Sequence, residues 1–425
     1  MKITIVGNSA AAVGAIEAIR ELDQEATIQV VTAEGPAIYS RPLISHYVGG
    51  EIDEGRLAYR PPTFYETHQV ETLFDEAVTA IDAQAHTVAT AKGRVLDYDK
   101  LLLAIGGSPI VPPMAGLDLA GVTTFATWAD AAAIDHEIDA GHVSQAVVVG
   151  GGMIGIKATD ALLKRGVQVT MVELAPRILI RALDELGAEM MTDLFERAGV
   201  RVLTENTVAE IIADGERIGG VVLKDGQRLD CDLLVFGIGV RPNVALARDA
   251  GVKVDRGVVV DRAMRTSDPD IYAAGDVAEA YDLVVDLNRT VAIWPNAYRQ
   301  GAIAGAQMVG QPRQDQGGIA MNAIEVAGVP CVAIGEGNAE GDGYTVMTRA
   351  QPERHQYRRL VLEGNRLVGV ILVGNISRAG IYTGLIRHRV DVSAHRDSLL
   401  SDRLSLLSVP EDYRKHVVRG QGIEV

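Results

Sequence analysis

The fold is decided by residues 145–177, which read QAVVVGGGMIGIKATDALLKRGVQVTMVELAPR. A β-branched run is followed by Gly150, Gly152 and Gly155 in the spacing G-x-G-x-x-G, then by a helical pattern and a second strand ending at Glu173. In this order of strand, turn and helix, small residues let a pyrophosphate approach the free N–H groups at the helix N-terminus. An acidic residue ending the second strand is placed to accept a hydrogen bond from a ribose hydroxyl. The stretch therefore predicts a dinucleotide-binding unit.

Glu173 also bears on which nicotinamide cofactor binds. A carboxylate there would bond the 2′-hydroxyl of NAD and repel the 2′-phosphate of NADP. Arg177 follows closely in the sequence and weakens that preference. We expect NADH to be favoured over NADPH.

A second copy of the pattern begins the chain, as KITIVGNSAAAVGAIEAIREL. Gly7, Ser9 and Ala12 occupy its three small-residue positions, and the next strand, ATIQVVTAE, ends at Glu34, where we expect another ribose contact. Ser9 departs from the usual glycine: its side chain either fits with a slight shift or donates a hydrogen bond to a phosphate. An ordinary βαβ unit with a small-residue turn is the alternative interpretation of this copy.

Composition disfavours several classes of function. A formal net charge of -16 and a pI near 5.0 disfavour binding to nucleic-acid backbones. Cys231 and Cys331 are the only cysteines, so we expect no metal site and no iron–sulfur centre held by this chain alone. Both cysteines are interpreted as buried residues without a functional role. Two unpaired cysteines fit a reducing, cytoplasmic compartment. No uncharged apolar run approaches the roughly 20 residues of a membrane span. The N-terminal apolar run resembles a signal peptide superficially, but Gly7, Asn8 and Ser9 interrupt it.

Further motifs follow in a characteristic order: LLLAIGGSPIVPP, LLVFGIGVRPN, TSDPDIYAAGDVAE and WPNAYRQGAIAGAQMVG. Together they resemble the FAD- and NAD(P)-dependent pyridine nucleotide oxidoreductases over nearly the whole chain, with Ile105 where threonine is usual. The resemblance implies FAD and NAD(H) as cofactors, with Asp276 bonding the flavin ribityl chain. On its residues alone, Asp276 could equally be a turn or N-cap residue. The implied FAD-binding residues are Gly7, Ser9, Ala12, Glu34, Arg41, Pro42, Gly106, Gly275 and Asp276, and the implied NAD-binding residues are Gly150, Gly152, Gly155, Glu173 and Gly239.

The segment YSRPLIS, residues 39–45, resembles one branch of this family: rubredoxin and ferredoxin reductases, the flavin part of nitrite reductases, and NAD-linked FAD subunits of larger iron–sulfur complexes. Disulfide reductases and peroxidases carry a redox cysteine near this place, whereas this chain has Arg41 and Pro42. In the branch these two residues lie along the FAD; a surface charge is the alternative interpretation of Arg41.

Two residues depart from the ferredoxin reductases, which often have lysine at His46 and glutamate at Lys157. The resemblance puts both positions near the reactive edge of the flavin and makes them the candidate catalytic residues. Lys157 would there stabilise anionic reduced flavin and raise its potential, or it is a solvated helix residue.

The predicted fold class is α/β, with two Rossmann-like dinucleotide-binding domains and a small C-terminal α/β interface domain. The resemblance places a discontinuous FAD domain at residues 1–112 and 242–315, with the NAD domain, 113–241, inserted in it. From about Gly317 the pattern changes to short strands, and Gly364 with Asn365 predicts a hairpin turn. The interface domain covers 316–395, and a leucine-containing tail, 396–425, packs on its own chain or docks a partner.

The implied function is an NADH:acceptor oxidoreductase that moves electrons between NAD(H) and an iron–sulfur protein or subunit through FAD. A peroxide-forming NADH oxidase, or a quinone or metal reductase, is the first alternative. The second is a flavoprotein whose NADH-reduced state acts mainly in assembly. Expected partners are the iron–sulfur protein and other copies or subunits, with no nucleic acid and no membrane span.

Overall fold

The computed structural model describes residues 1–402, 404 and 405. The chain forms two compact units. The first comprises Met1–Ile110, Ala126–Asp135 and Val240–Gly318; the second comprises Val111–Phe125, His136–Gly239 and the described residues from Ile319 onward. The assignment of exact residue ranges to FAD, NAD and interface domains stays a prediction.

Helices and strands alternate through the first 239 residues. The helices are α1 Ala10–Leu22, α2 Ile44–Val48, α3 Phe64–Thr67, α4 Trp128–Asp139, α5 Met153–Lys164 and α6 Glu185–Arg197. The strands are β1 Lys2–Val6, β2 Thr27–Val31, β3 Val70–Leu73, β4 Val78–Asp82, β5 Thr87–Thr90, β6 Val95–Asp97, β7 Lys100–Leu103, β8 Gly107–Pro109, β9 Val122–Thr124, β10 Gln145–Val149, β11 Gln168–Val172, β12 Arg201–Leu203, β13 Val208–Asp214, β14 Arg217–Leu223, β15 Arg228–Asp230 and β16 Leu233–Phe236.

Strands predominate in the remainder of the described chain. Its helices are α7 Ala245–Asp249, α8 Trp294–Met308, α9 Ala379–Arg387 and α10 Arg396–Leu399. Its strands are β17 Val240–Pro242, β18 Val258–Val259, β19 Ile271–Ala273, β20 Ala278–Asp282, β21 Leu287–Arg289, β22 Met321–Val326, β23 Val329–Gly335, β24 Tyr344–Gln351, β25 Gln356–Glu363 and β26 Arg366–Val373. None of the helices in the described residues is long and apolar enough to cross a membrane.

Each unit contains a five-stranded parallel sheet. The strand order is β19-β7-β1-β2-β3 in the first unit and β12-β11-β10-β16-β9 in the second. The central strands are buried on both faces: Ile3 and Ile5 of β1 are fully buried, as is the polar Thr4 between them, and β10 contains the continuous apolar run 146–149. Such continuous apolar runs are typical of parallel strands covered by helices on both sides. In both sheets the glycine turn follows a central strand and opens a helix, so the predicted fold class is confirmed.

Helix α1 is packed against α8 with almost no side chains between them. A Cβ atom built on Gly14 would lie 2.2 Å from the Tyr298 carbonyl oxygen, and one on Gly301 would lie 1.9 Å from the Ala11 carbonyl oxygen. A Cβ on Gly305 would lie 2.6 Å from the Ala15 oxygen. Only glycine permits this approach, and it fixes α8 relative to the glycine turn before α1.

The second unit also contains a five-stranded antiparallel sheet of order β22-β23-β26-β25-β24, against which α9 packs. Strands β25 and β26 are joined by Gly364 and Asn365, with Glu363 paired to Arg366 and Gly364 at φ 57°. The predicted hairpin turn is therefore confirmed.

A buried polar cluster joins this antiparallel sheet to α6. Asp184, the N-cap of α6, accepts a hydrogen bond from the Gly187 N–H at 3.2 Å and one from the Tyr357 hydroxyl at 2.5 Å. Arg359 donates to the same Asp184 carboxylate at 3.3 Å and to the Gly337 carbonyl at 3.0 Å. Asp184 and Arg359 are both buried, so their charges are compensated by each other and by these hydrogen bonds.

Two leucines of the predicted tail pack on their own chain. Leu399 and Leu404 are fully buried, which confirms own-chain packing for these two residues. Leu406 and Leu407 lie outside the described residues.

Candidate dinucleotide-binding sites

The first unit contains a glycine cradle at the end of β1. Gly7 has φ 107°, and a Cβ atom there would lie 2.3 Å from the Ala104 carbonyl oxygen. Ser9 is the N-cap of α1, and its hydroxyl makes no capping hydrogen bond. The N-terminus of α1 carries no acidic residue in its first turn and Ala12 is fully buried behind it, so its backbone N–H groups fit a pyrophosphate.

Glu34, Tyr39 and Arg41 form a polar cluster beyond the end of β2. The Tyr39 hydroxyl donates to the Glu34 carboxylate at 3.0 Å, and Arg41 donates to the other carboxylate oxygen. Arg41 also donates to the Ala126 carbonyl at 3.0 Å. Burial alone would lower the pKa of Arg41, but Tyr39, Glu34 and Asp276 together raise it above its ordinary value. Arg41 is therefore a permanently charged, half-buried group and not a free surface charge.

Asp276 emerges just after β19, at the carboxyl end of the parallel sheet. The preceding Gly275 has φ 80°, and its N–H donates to the Gln300 side chain at 2.9 Å, which ties this turn to α8. Burial raises the pKa of Asp276, and the charge of Arg41 opposes that shift. Asp276 makes no hydrogen bond or ion pair with any residue that the structure describes, and it caps no described helix. A half-buried carboxylate without a donor fits a ligand that supplies one, such as a polyhydroxyl chain.

Asn243 braces the segment around Gly106. Its side chain donates to the Ile105 carbonyl at 2.8 Å and accepts from the Ser108 hydroxyl at 2.7 Å, while its N–H donates to the Gly106 carbonyl at 3.0 Å. Gly106 has φ 58°, and no described atom would contact a Cβ there, so its role is conformational. Sequence reasoning missed Asn243, although it stands in the quoted segment LLVFGIGVRPN.

Pro42 and His46 lie just beyond the polar cluster. Pro42 occupies the first turn of a 3₁₀ helix, Arg41–Leu43, and is exposed. His46, in α2, lies 2.9 Å from the Glu51 carboxylate.

The second unit contains the full glycine cradle. Gly150 has φ 108°, and a Cβ on it would lie 2.7 Å from the Gly237 carbonyl oxygen. A Cβ on Gly155 would lie only 1.8 Å from the Gly150 oxygen, so the helix start is pressed against the turn. Gly152 is the N-cap of α5, and Gly239 follows β16 at φ 116°.

Glu173 follows β11 and is already engaged with backbone. Its carboxylate accepts hydrogen bonds from the Gly151 N–H at 2.5 Å and the Ala175 N–H at 2.7 Å. A carboxylate has about four lone-pair positions, so acceptor capacity remains for a ribose hydroxyl. Glu173 thus also holds the glycine turn, a role that the sequence did not reveal. Arg177, four residues on, has a buried Nε without a partner among the described residues.

All nine proposed FAD-binding residues fall within the first unit, and the five proposed NAD-binding residues fall within the second. His46 belongs to the first unit and Lys157, on α5, to the second. Lys157 makes no ion pair within the described part of the chain, and its role beside a flavin stays a prediction.

Comparison with known proteins identifies the family. A family model described as pyridine nucleotide-disulphide oxidoreductase matches residues 1–301. The chain belongs to this family. A second model, described as the rubredoxin NAD+ reductase C-terminal domain, matches residues 321–390. The chain is therefore an NAD(P)H-dependent FAD oxidoreductase, and the predicted cofactors, FAD and NAD(H), are confirmed.

Three relatives illustrate the range of the family. The chain is 30% identical over 410 residues to the epsilon subunit of NADH-dependent phenylglyoxylate dehydrogenase of Aromatoleum evansii, covering 95% of this chain and 96% of that subunit. It is 31% identical over 399 residues to nitrite reductase [NAD(P)H] of Bacillus subtilis, covering 92% of this chain but only 48% of that protein. A crystal structure of the covalent putidaredoxin reductase-putidaredoxin complex matches with a TM-score of 0.87 and 28% identity, covering 98% of each chain. The chain thus spans about half the length of some curated relatives.

Proposed function

We propose that this reductase carries electrons between NAD(H) and an iron–sulfur protein or subunit by way of FAD. The observation that carries the proposal is the presence of two dinucleotide cradles in a chain with no accessible thiol. Electron transfer through a redox disulfide needs a reactive cysteine, and both cysteines here are buried and unpaired. Burial raises the pKa of Cys231 and of Cys331 to about 12, so neither forms a thiolate readily near neutral pH.

The residues of the first unit would hold FAD by complementary charge. The N-terminus of α1, next to Gly7 and Ser9, would receive the pyrophosphate. Asp276 would accept from the hydroxyls of the flavin side chain, since it has no donor in the described chain. Arg41, held charged by Glu34, would supply a positive charge near that carboxylate. FAD, when bound, exchanges a hydride with a nicotinamide and can pass electrons on one at a time.

The residues of the second unit would position the nicotinamide cofactor. The N-terminus of α5 would receive its pyrophosphate, and Glu173 would accept from the adenosine ribose while keeping the glycine turn in place. The carboxylate favours NADH over NADPH, because a second negative charge at the 2′-position would be repelled.

Support for an iron–sulfur partner comes from the relatives. One similar structure is a complex of a reductase with putidaredoxin, and one curated relative of nearly equal length is a subunit of a larger dehydrogenase. We further propose that the chain acts in the cytoplasm, where its two unpaired cysteines would stay reduced. Pairing with other subunits or copies belongs to the same proposal.

The test is to reduce the purified protein with NADH under anaerobic conditions and follow flavin absorbance after mixing. One sample receives air-saturated buffer and another an anaerobic rubredoxin or [2Fe–2S] ferredoxin. Persistence in air with rapid discharge to the iron–sulfur protein supports the proposal. Reoxidation by air within a fraction of a second, unaffected by the acceptor, would instead identify an oxidase.

Two controls sharpen this experiment. A Cys231→Ala/Cys331→Ala double variant should transfer electrons at the rate of the original chain, because neither thiol lies on the proposed route; a large loss would place a thiol on it. Measuring the particle size with and without NADH tests the assembly alternative, which requires negligible turnover together with an NADH-dependent change in oligomer.

A further inference from the structure

Two arginines face each other on the edge of the C-terminal antiparallel sheet. Arg349 in β24 and Arg358 in β25 are direct cross-strand partners. Like charges in such positions destabilise a sheet unless something neutralises them. Asp402 does so here, with carboxylate oxygens 2.9 Å from Arg349 and 3.3 Å from Arg358.

The segment that carries Asp402 is held by Arg358 and by a third arginine, Arg378. Arg358 donates to the carbonyls of Leu400 at 2.8 Å and Ser401 at 3.3 Å, and Arg378 donates to the Asp402 carbonyl at 3.1 Å. The Asp402 side chain itself is 56% exposed, whereas that of Arg358 is only 6% exposed. The fixed part of the cluster is therefore the buried arginine, and the carboxylate is the part open to exchange with solvent.

Arg358 retains an unused donor. Its Nε is buried and has no hydrogen-bond partner among the described residues. A buried guanidinium N–H without an acceptor is unfavourable, because it has lost its hydrogen bonds to water without replacement. An anion that reached this group would satisfy it.

An open depression of the surface adjoins these arginines. Its lining combines the two arginines with the residues Gln351, Gln356 and Asn375, and Asp402 is the only acidic residue among the described residues that line it. Guanidinium and amide groups supply N–H donors in the arrangement that carboxylates and phosphates require.

We propose that this depression is a binding site for a small oxyanion, a carboxylate or a phosphate. Asp402 is a tethered carboxylate that occupies the two arginines until the free anion displaces it. The site is independent of the electron-transfer function, and it lies wholly within the second unit.

The test is calorimetric titration of the full-length, FAD-loaded protein with inorganic phosphate and, separately, with succinate. Saturating NAD+ is present throughout, so that phosphate does not report on the nucleotide cradle. Replacing Asp402→Asn removes the internal competitor and should tighten binding about tenfold or more, the equivalent of one charge-assisted hydrogen bond. Arg349→Gln should weaken binding by a similar factor.

Matched controls separate this effect from general changes of charge or folding. Asp397→Asn removes an exposed carboxylate with no partner among the described residues and should leave the affinity unchanged. Arg349 is chosen for the loss variant because it is exposed, so its replacement leaves the fold intact more readily than replacement of buried Arg358.

Tighter binding by Asp402→Asn together with weaker binding by Arg349→Gln supports the site, and the preferred titrant then distinguishes a phosphate ligand from a carboxylate ligand. Absence of binding to Asp402→Asn overturns the proposal. So does an equal affinity in all variants, since the anion would then bind elsewhere.

Discussion

Replacement of Gly301 by alanine should separate α8 from α1 and loosen the turn at Gly275 that precedes Asp276. The new Cβ would start 1.9 Å from the Ala11 carbonyl oxygen, and side-chain carbons essentially never approach closer than 3.0 Å. Since 3.0 minus 1.9 is 1.1, the helices must part by at least 1.1 Å at this point. The obstacle is backbone, which has no rotamer to change, so the penalty belongs at the upper end of the roughly 1–3 kcal/mol typical of overpacking.

The displacement should also reach the proposed FAD site. Gln300, the neighbour of Gly301, accepts the 2.9 Å hydrogen bond from the Gly275 N–H that sets the turn before Asp276. A shift of about 1 Å is enough to break such a bond, because hydrogen bonds weaken beyond about 3.2 Å. We expect Gly301→Ala to lower the melting temperature by several degrees and to reduce the FAD content of purified protein.

Gly380→Ala is the matched control. Gly380 also lies in a helix, α9, but a Cβ there would meet no atom within 4 Å. That variant should be as stable as the original chain, or more stable by up to about 1 kcal/mol from helix propensity. The reasoning would be refuted if Gly301→Ala had the same melting temperature and the same FAD content as Gly380→Ala. The close crossing of α1 and α8 would then not position the turn at Gly275.

Four further outcomes are expected. Glu173→Arg should shift the ratio of kcat/KM values from NADH towards NADPH. Both kcat/KM values should also fall, because two backbone N–H groups lose their acceptor, at about 1.5–3 kcal/mol each. An unchanged ratio would show that Glu173 does not contact the ribose. Asp276→Ala should yield protein deficient in FAD, and full flavin occupancy in its absorbance spectrum would contradict the assignment. Cys231 and Cys331 should resist Ellman's reagent at pH 8 in the native protein and react after denaturation. The pKa of each thiol is about 12 in the folded protein, above the unfolded value of about 8.5. Their contribution to the free energy of unfolding is therefore complete below about pH 8.5 and is lost as the pH rises towards 12. An alanine double variant that lost the same stability between these two pH values would show that the thiols do not cause the loss. Asp184→Asn should lower the free energy of unfolding by about 3–5 kcal/mol, measured by denaturant titration, and a change below 1 kcal/mol would show that the buried cluster is not coupled.

The parallel sheets and their glycine turns were predictable because they depend on local signals. Strand, small residues and helix follow one another within about 20 residues, and the family motifs extend that pattern over most of the chain. The hairpin at Gly364 was likewise readable, because a two-residue turn between apolar strands has a local signature.

Other features were not predictable, because they depend on contacts between distant segments. The contact of Arg41 with Glu34 depends on how the intervening loop folds, which residue spacing does not fix. Asp184 could have been read as a helix N-cap from its neighbours, but its partners Tyr357 and Arg359 lie more than 170 residues away. The additional role of Glu173 in holding the glycine turn could not be predicted, because it depends on the direction of its side chain, which the sequence does not specify.

The buried cluster around Asp184 bears on how this chain can be divided into modules. By sequence similarity the chain consists of two modules, one ending near residue 301 and the other beginning near 321. The two modules are nevertheless coupled across that boundary. Removing the second module would also remove Tyr357 and Arg359, the hydrogen-bond partners that compensate the charge of Asp184. Exchange of C-terminal modules between relatives therefore requires the matching start of α6 to be carried with them.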